Sequence, residues 1–229
     1  MVTSNPKEWA RKNKKLFANR VVTAAGVQPH DEPAAFFMAG LPGAGKTEFT
    51  ESLISDLKLK AVRIDMDEIA TQIDGYQPQE AHAFREAATD VLNAVFDRAT
   101  HRRVDFIMDG TFRSSKAINN LRRCAEKGYH IKLFYVHQEP LPAWEFTVTR
   151  EKVEKRHIDK AGFIDSYFEI FDNLKAIEEN NIPNLTLDFV VKDKTNKIGR
   201  WHENIQISEI DELIGEHYNR GYLERILPE

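Results

Sequence analysis

The chain has a single cysteine, Cys124, among 229 residues. That excludes an internal disulfide and a cysteine-rich metal site, and it suits a reducing compartment. Cys124 itself reads as helix packing rather than as a nucleophile. The histidines show no metal-ligand spacing and no serine is framed as a nucleophile elbow, which argues against a zinc or serine hydrolase. No apolar run approaches the length of a bilayer span, and Met1-Val2-Thr3-Ser4-Asn5-Pro6 lacks a signal core. The expectation is a cytoplasmic protein with no membrane partner. A strong charge bias is missing too: a net charge of −4, with basic residues scattered, gives no electrostatic case for nucleic acid. Internal repeats and low-complexity tracts are also absent. What remains is 41% hydrophobic and 30% charged, the balance of a soluble globular protein long enough for one α/β domain with an appendage.

One stretch organises the rest. Ala34-Ala35-Phe36-Phe37-Met38-Ala39 reads as a buried strand, and Gly40-Leu41-Pro42-Gly43-Ala44-Gly45-Lys46-Thr47 fits the Walker A phosphate loop, G-x-x-x-x-G-K-[ST], at every required position. An amphipathic helix carrying Phe49, Leu53, Ile54 and Leu57 follows, which is the context the motif needs. Glycines let successive N–H groups turn inward to phosphate oxygens, and the helix opening at Lys46 adds its positive dipole end. Lys46 would hold the outer phosphates of a nucleotide and the Thr47 hydroxyl would ligate Mg²⁺. A plain glycine turn between strand and helix is the bland alternative.

Around this stretch the pattern predicts strands at 61–64, 104–108, 130–136 and 186–191, and helices at 79–100, 116–127, 143–155 and 164–179. Strands separated by helices mean crossover connections, hence a parallel sheet covered on both faces. Small additions flank this P-loop core of residues 34–192. One is an N-terminal extension, 1–33, with a helix capped by Ser4 and presenting Trp9, Leu16 and Phe17 on its apolar side. The other is a tail, 193–229, with an antiparallel strand near 201–205 and a helix from 208 to about 217.

Ligands in an open parallel sheet sit beyond the carboxyl ends of the strands, so each exit is a place to look. The second strand exits into Asp65-Met66-Asp67-Glu68; if the chain stays extended, both aspartates point to one side, and Asp67, farther out, is the candidate base for a hydroxyl attacking a γ-phosphoryl group. Helix capping competes for one of the two. The third strand exits into Asp109-Gly110-Thr111-Phe112-Arg113, where Asp109 could hold Mg²⁺ through water or grip a substrate hydroxyl. Arg113 follows at a position facing the same mouth. Helix capping and a surface arginine are the alternatives for Asp109 and Arg113. The fourth leads to a helix carrying Arg150, with Arg156 near its end. Six residues apart on a continuous helix they would diverge by about 120°, so shared use as phosphate clamps requires the helix to stop near Arg156. Compensation of the helix C-terminus is the competing reading.

These motifs, in this order over residues 34–191, resemble the zeta toxin family of small phosphate-loop kinases. The aspartate pair and the D-G-T-x-R stretch narrow a choice that the loop alone leaves wide. The resemblance implies ATP- and Mg²⁺-dependent phosphorylation of the 3′-hydroxyl of UDP-N-acetylglucosamine. It makes Asp67 the base, Lys46, Arg150 and Arg156 the phosphate clamps, and Asp109, Thr111 and Arg113 contacts to this nucleotide sugar. It also implies a small helical antitoxin as partner, for which the N-terminal helix would be one contact surface. The chain departs from the family pattern at three places. Asp109 stands where well-known members have glutamate, Gly75-Tyr76-Gln77-Pro78 replaces a His-Pro pair, and the segment between the two arginines is shorter. A kinase of another small molecule or of a polynucleotide end shares every motif but the acceptor contacts, and a nucleotide-binding switch or ATPase would use the loop without an acceptor.

Overall fold

The structure, a computed structural model, describes residues 5–155 and 158–228. The first helix, α1 (Pro6–Ala24), starts at Asn5, whose side chain accepts from the Lys7 N–H, with proline in the first turn. The expected cap, Ser4, lies outside the described residues. Ala10, Phe17, Ala18 and Val22 form its buried stripe, whereas Leu16, one residue and about 100° away from Phe17, is 72% exposed rather than buried as expected.

Then follow β1 (Ala34–Ala39), α2 (Lys46–Asp56), β2 (Val62–Asp65), α3 (Met66–Thr71), α4 (Ala81–Arg102), β3 (Phe106–Asp109), α5 (Ala117–Glu126), β4 (His130–His137), α6 (Pro140–Glu154), α7 (Lys160–Asn180) and β5 (Leu185–Lys192). The six-stranded sheet runs β2-β3-β1-β4-β5-β6, where β6 (Ile198–His202) is the last strand. Its first five members are parallel and β6 is antiparallel to β5. This is the parallel α/β architecture the alternating pattern predicts.

Strand alternation splits the apolar residues between two faces. Ala35, Phe37, Phe106, Leu133 and Phe189 join the large cluster that also takes in α1 and α4, so the N-terminal helix shares the main core instead of standing outside it. Met38, Ile107, Phe134, Val136 and Val190 face the other way and meet Phe49 and Leu53 of α2. Trp201 of β6 closes that smaller cluster edge-on against Phe49 and Phe134, at centroid distances of 5.4 and 6.2 Å. Its indole N–H donates to the fully buried Asp188, which Lys132 neutralises at 3.0 Å.

The tail departs from expectation. The added strand begins three residues early, the helix expected to 217 is the single short α8 (Ile210–Ile214) after a 3₁₀ turn, and a further helix, α9 (Arg220–Ile226), was not anticipated. Gly215, at φ +80°, stops α8 where an L-residue would be strained.

Candidate active site

The phosphate loop lies between the β1 exit and the first turn of α2, and three glycines give it its shape. Gly40, Gly43 and Gly45 have φ of +145°, +75° and +78°. Each also faces a neighbour too close for a side chain. A Cβ at Gly40 would sit 2.3 Å from the Val136 carbonyl oxygen, and one at Gly43 would sit 2.1 Å from the carbonyl oxygen of Ala143 on α6. The second contact seats α6, the helix that carries Arg150, directly on the loop. Among the described residues no side chain caps α2, whose N-cap is Gly45 itself, so the first N–H groups of that helix are left for a ligand. Leu41, Pro42 and Ala44 complete the loop, with the Ala44 N–H donating back to Leu41 at 3.1 Å.

Lys46 folds over this loop, its ammonium donating to the carbonyls of Gly40 at 2.9 Å and Leu41 at 2.7 Å. Burial pulls its pKa down to about 8 from 10.5. Asp109 and Asp67 oppose that shift and Arg150 reinforces it, so all three charges lie within electrostatic reach of Lys46. The sign follows: between pH 8 and 10.5 the unfolded chain binds the extra proton, so this group costs stability below pH 8 and the cost fades as pH rises to 10.5. A polyphosphate beside Lys46 would favour the charged form. Nucleotide binding at pH 8.5–9 is therefore expected to take up a proton, and affinity to fall as pH rises through 8. Calorimetry in two buffers of different ionisation heat measures the uptake; a Lys46→Met protein should show none.

The aspartates do not share one extended run. Asp65 ends β2 and caps α3, accepting from the N–H groups of Asp67 at 2.7 Å and Glu68 at 3.2 Å, so the chain is helical from Met66 and Asp67 lies in the first turn. Capping therefore accounts for Asp65 and leaves Asp67 for other work. Burial raises the Asp65 pKa, with Asp109 and Asp67 adding to the effect. Asp109 stands level with Asp65 on the neighbouring strand and is buried, and α5 begins eight residues later, so it caps nothing. Its Oδ2 accepts from Arg63 at 2.7 Å, and the same guanidinium reaches Asp65 at 3.4 Å. Arg63 escaped the sequence reading. Its signal was a charged residue between Val62 and Ile64, two positions before Asp65 and thus on the same side of the strand.

Beyond Asp109 the chain turns sharply at Phe112, a buried non-glycine residue at φ +64°. Such a conformation costs on the order of 1 kcal/mol or more, and two bonds from the Asn173 amide of α7, to the carbonyls of Phe112 (2.7 Å) and Ser114 (3.1 Å), hold it. The turn sends the Thr111 carbonyl back to the Gly40 N–H at 3.3 Å, coupling it to the phosphate loop. Arg113 is committed to α7, with bonds to Glu169 (2.6 Å), Ser166 (2.9 Å) and the Gly162 carbonyl (3.2 Å). The arginine expected at the mouth of the cleft is thus a brace between the β3 exit and the start of α7. Arg150 is exposed on α6, which ends at Glu154 with Lys155 left-handed after it. The required helix stop is present. Arg156 lies outside the described residues.

The family model for zeta toxin matches residues 19–206. The chain belongs to the zeta toxin family. No curated relative matches it, but solved structures share its fold. One comes from the PezAT chromosomal toxin-antitoxin system of Streptococcus pneumoniae, with a TM-score of 0.70 and 17% identity over 93% of this chain and 91% of that one. A chain of the AvrRxo1-ORF1:-ORF2 complex gives a TM-score of 0.60 at 11% identity, over 90% of this chain and 69% of the other. A kinase candidate from Chloroflexus aurantiacus gives 0.51 at 15% identity, over 80% and 94%. Family and fold together support a phosphotransferase of the kinase type. No helix among the described residues is long and apolar enough to cross a membrane.

Proposed function

We propose that this zeta toxin family member transfers the γ-phosphoryl group of ATP to a hydroxyl of a nucleotide sugar, the 3′-hydroxyl of UDP-N-acetylglucosamine, as the toxin of a toxin–antitoxin pair. The observation that carries the kinase reading is the convergence on Lys46 of a glycine-shaped phosphate loop, two carboxylates from the β2 and β3 exits, and an arginine on a helix docked against the loop. A nucleotide-binding switch needs one carboxylate for its metal ion but no second one to take a proton from an acceptor hydroxyl. A kinase needs both.

Asp67 accepts the proton of the acceptor hydroxyl as its oxygen bonds to the γ-phosphorus. The bond from that phosphorus to the bridging oxygen breaks, and ADP leaves with the electron pair. Lys46 and Arg150, joined by Arg156, neutralise charge on the transferred group. The residues fit Mg²⁺: the Thr47 hydroxyl makes no hydrogen bond among the described residues, and one oxygen of Asp109 remains beside the Arg63 contact. Mg²⁺ typically takes one or two protein oxygens and completes its shell with phosphate and water, so Thr47 and Asp109 would hold it. Bound there, it supplies neutralisation of the β- and γ-phosphate oxygens.

The acceptor rests on family membership and on the chemistry of the β3 exit, where Asp109 and Thr111 suit sugar hydroxyls. Arg113 suits a diphosphate only if it turns from Glu169, so its contribution comes with rearrangement of the start of α7. The deciding experiment incubates the protein with ATP, Mg²⁺ and a panel of UDP-sugars, nucleosides and oligonucleotide ends, read by phosphorus NMR and mass spectrometry. A 3′-phosphorylated UDP-N-acetylglucosamine is expected. Phosphorylation of another panel member, with every UDP-sugar untouched, would leave a kinase and overturn the acceptor.

A further inference from the structure

The charges around the phosphate loop are divided. The candidate base and its neighbouring carboxylate come from β2 and β3, on one side of β1, so the transferred phosphoryl group must face that side. The remainder of the donor then extends across the loop toward β4 and β5. On that far side two polar side chains press against the loop at Gly45, the residue immediately before Lys46. A Cβ on Gly45 would lie 2.3 Å from Asn196 Oδ1 and 2.7 Å from Lys192 Cε.

Lys192 ends β5 and is 8% exposed, yet its ammonium makes no hydrogen bond or ion pair among the described residues. Burial lowers its pKa, with Glu48 and Asp193 only partly opposing. A lysine whose stem is buried against the loop and whose ammonium has no partner among the described residues is placed to meet an anion. It shares the α2 face of the sheet with Val190, so it stands beside the uncapped N-terminus of that helix. Asn196 Oδ1 is fully buried and has no hydrogen-bond partner among the described residues. The turn that carries it is fixed from two directions. Asp193 accepts from the N–H groups of Thr195 (2.8 Å) and Lys197 (3.0 Å), and Gln138, just beyond β4, donates to the Asp193 carbonyl at 2.7 Å.

We propose that Lys192 is a second phosphate ligand of the donor site, holding the α-phosphate of the nucleotide, and that Asn196 seats the β5–β6 turn against the loop beside the nucleoside. The inference rests on the kinase reading and divides the labour. Lys46 takes the outer phosphates and Lys192 the one nearest the ribose.

The test uses the full-length protein and Lys192→Met, which keeps the length and apolar packing of the stem on Gly45 but removes the charge, with Lys192→Arg as the charge-retaining control. Affinities for ATP, ADP, AMP and adenosine are measured by calorimetry or by displacement of a fluorescent nucleotide, and folding by thermal melting. Lys192→Met should weaken ATP, ADP and AMP by a common factor of roughly ten to a hundred, the range of a charge-assisted contact. Adenosine should be unaffected, and Lys192→Arg should recover most of the loss. Unchanged affinity for the phosphorylated ligands in a folded Lys192→Met protein overturns the assignment, as does weakening that spares AMP. Wild-type protein that binds no ATP would sink the kinase reading instead, so the two failures are distinct.

Discussion

Lys46→Ala is expected to reduce phosphoryl transfer by roughly a thousandfold or more at saturating ATP, while the melting temperature changes little. The rate effect follows from removing a cation that lies inside the phosphate loop, where low dielectric makes a preorganised charge worth more than in water. The stability effect is small for local reasons. Among the described residues the Lys46 ammonium bonds the Gly40 and Leu41 carbonyls and no packed side chain of the core. Burial already disfavours its charge, as the lowered pKa records. Alanine also suits the first turn of α2. Transfer to the acceptor found in the panel experiment, together with thermal melting, checks both halves. Retained turnover in a folded Lys46→Ala protein would remove the phosphate loop from the mechanism.

The frame around Lys46 was legible because it depends on local rules. Glycine spacing announced the loop, and near-continuous apolar strands broken by amphipathic helices announced a parallel sheet. Whatever depends on partners distant in sequence stayed hidden. Arg113 read as a residue facing the cleft because nothing in Asp109–Arg113 reveals that Glu169 and Ser166, more than fifty positions later, come back to meet it. Lys192 and Asn196 carry no local motif, and it is the sheet that brings them to Gly45. The tail was read least well for a related reason: α8 is only five residues long, too short for periodicity to register. Asp65 and Asp67 fall between these cases. The capping alternative was visible in the spacing, but which carboxylate would cap depended on where α3 begins, and helix starts are poorly defined by sequence.

That helix start also sets the second large effect, expected from Asp67→Asn. Asparagine keeps the shape of the side chain and can still hydrogen-bond an acceptor hydroxyl, but it cannot take the proton, so kcat should fall by about a hundred- to ten-thousandfold. ATP affinity should stay near wild type, since the carboxylate meets the acceptor and not the loop. The companion Asp65→Asn isolates the base from its neighbour. Asparagine caps helices about as well as aspartate, so α3 should remain in place, and the loss should be limited to a weakened contact with Arg63, already long at 3.4 Å. A severe rate defect in Asp65→Asn beside a mild one in Asp67→Asn would transfer the role of base to the capping residue.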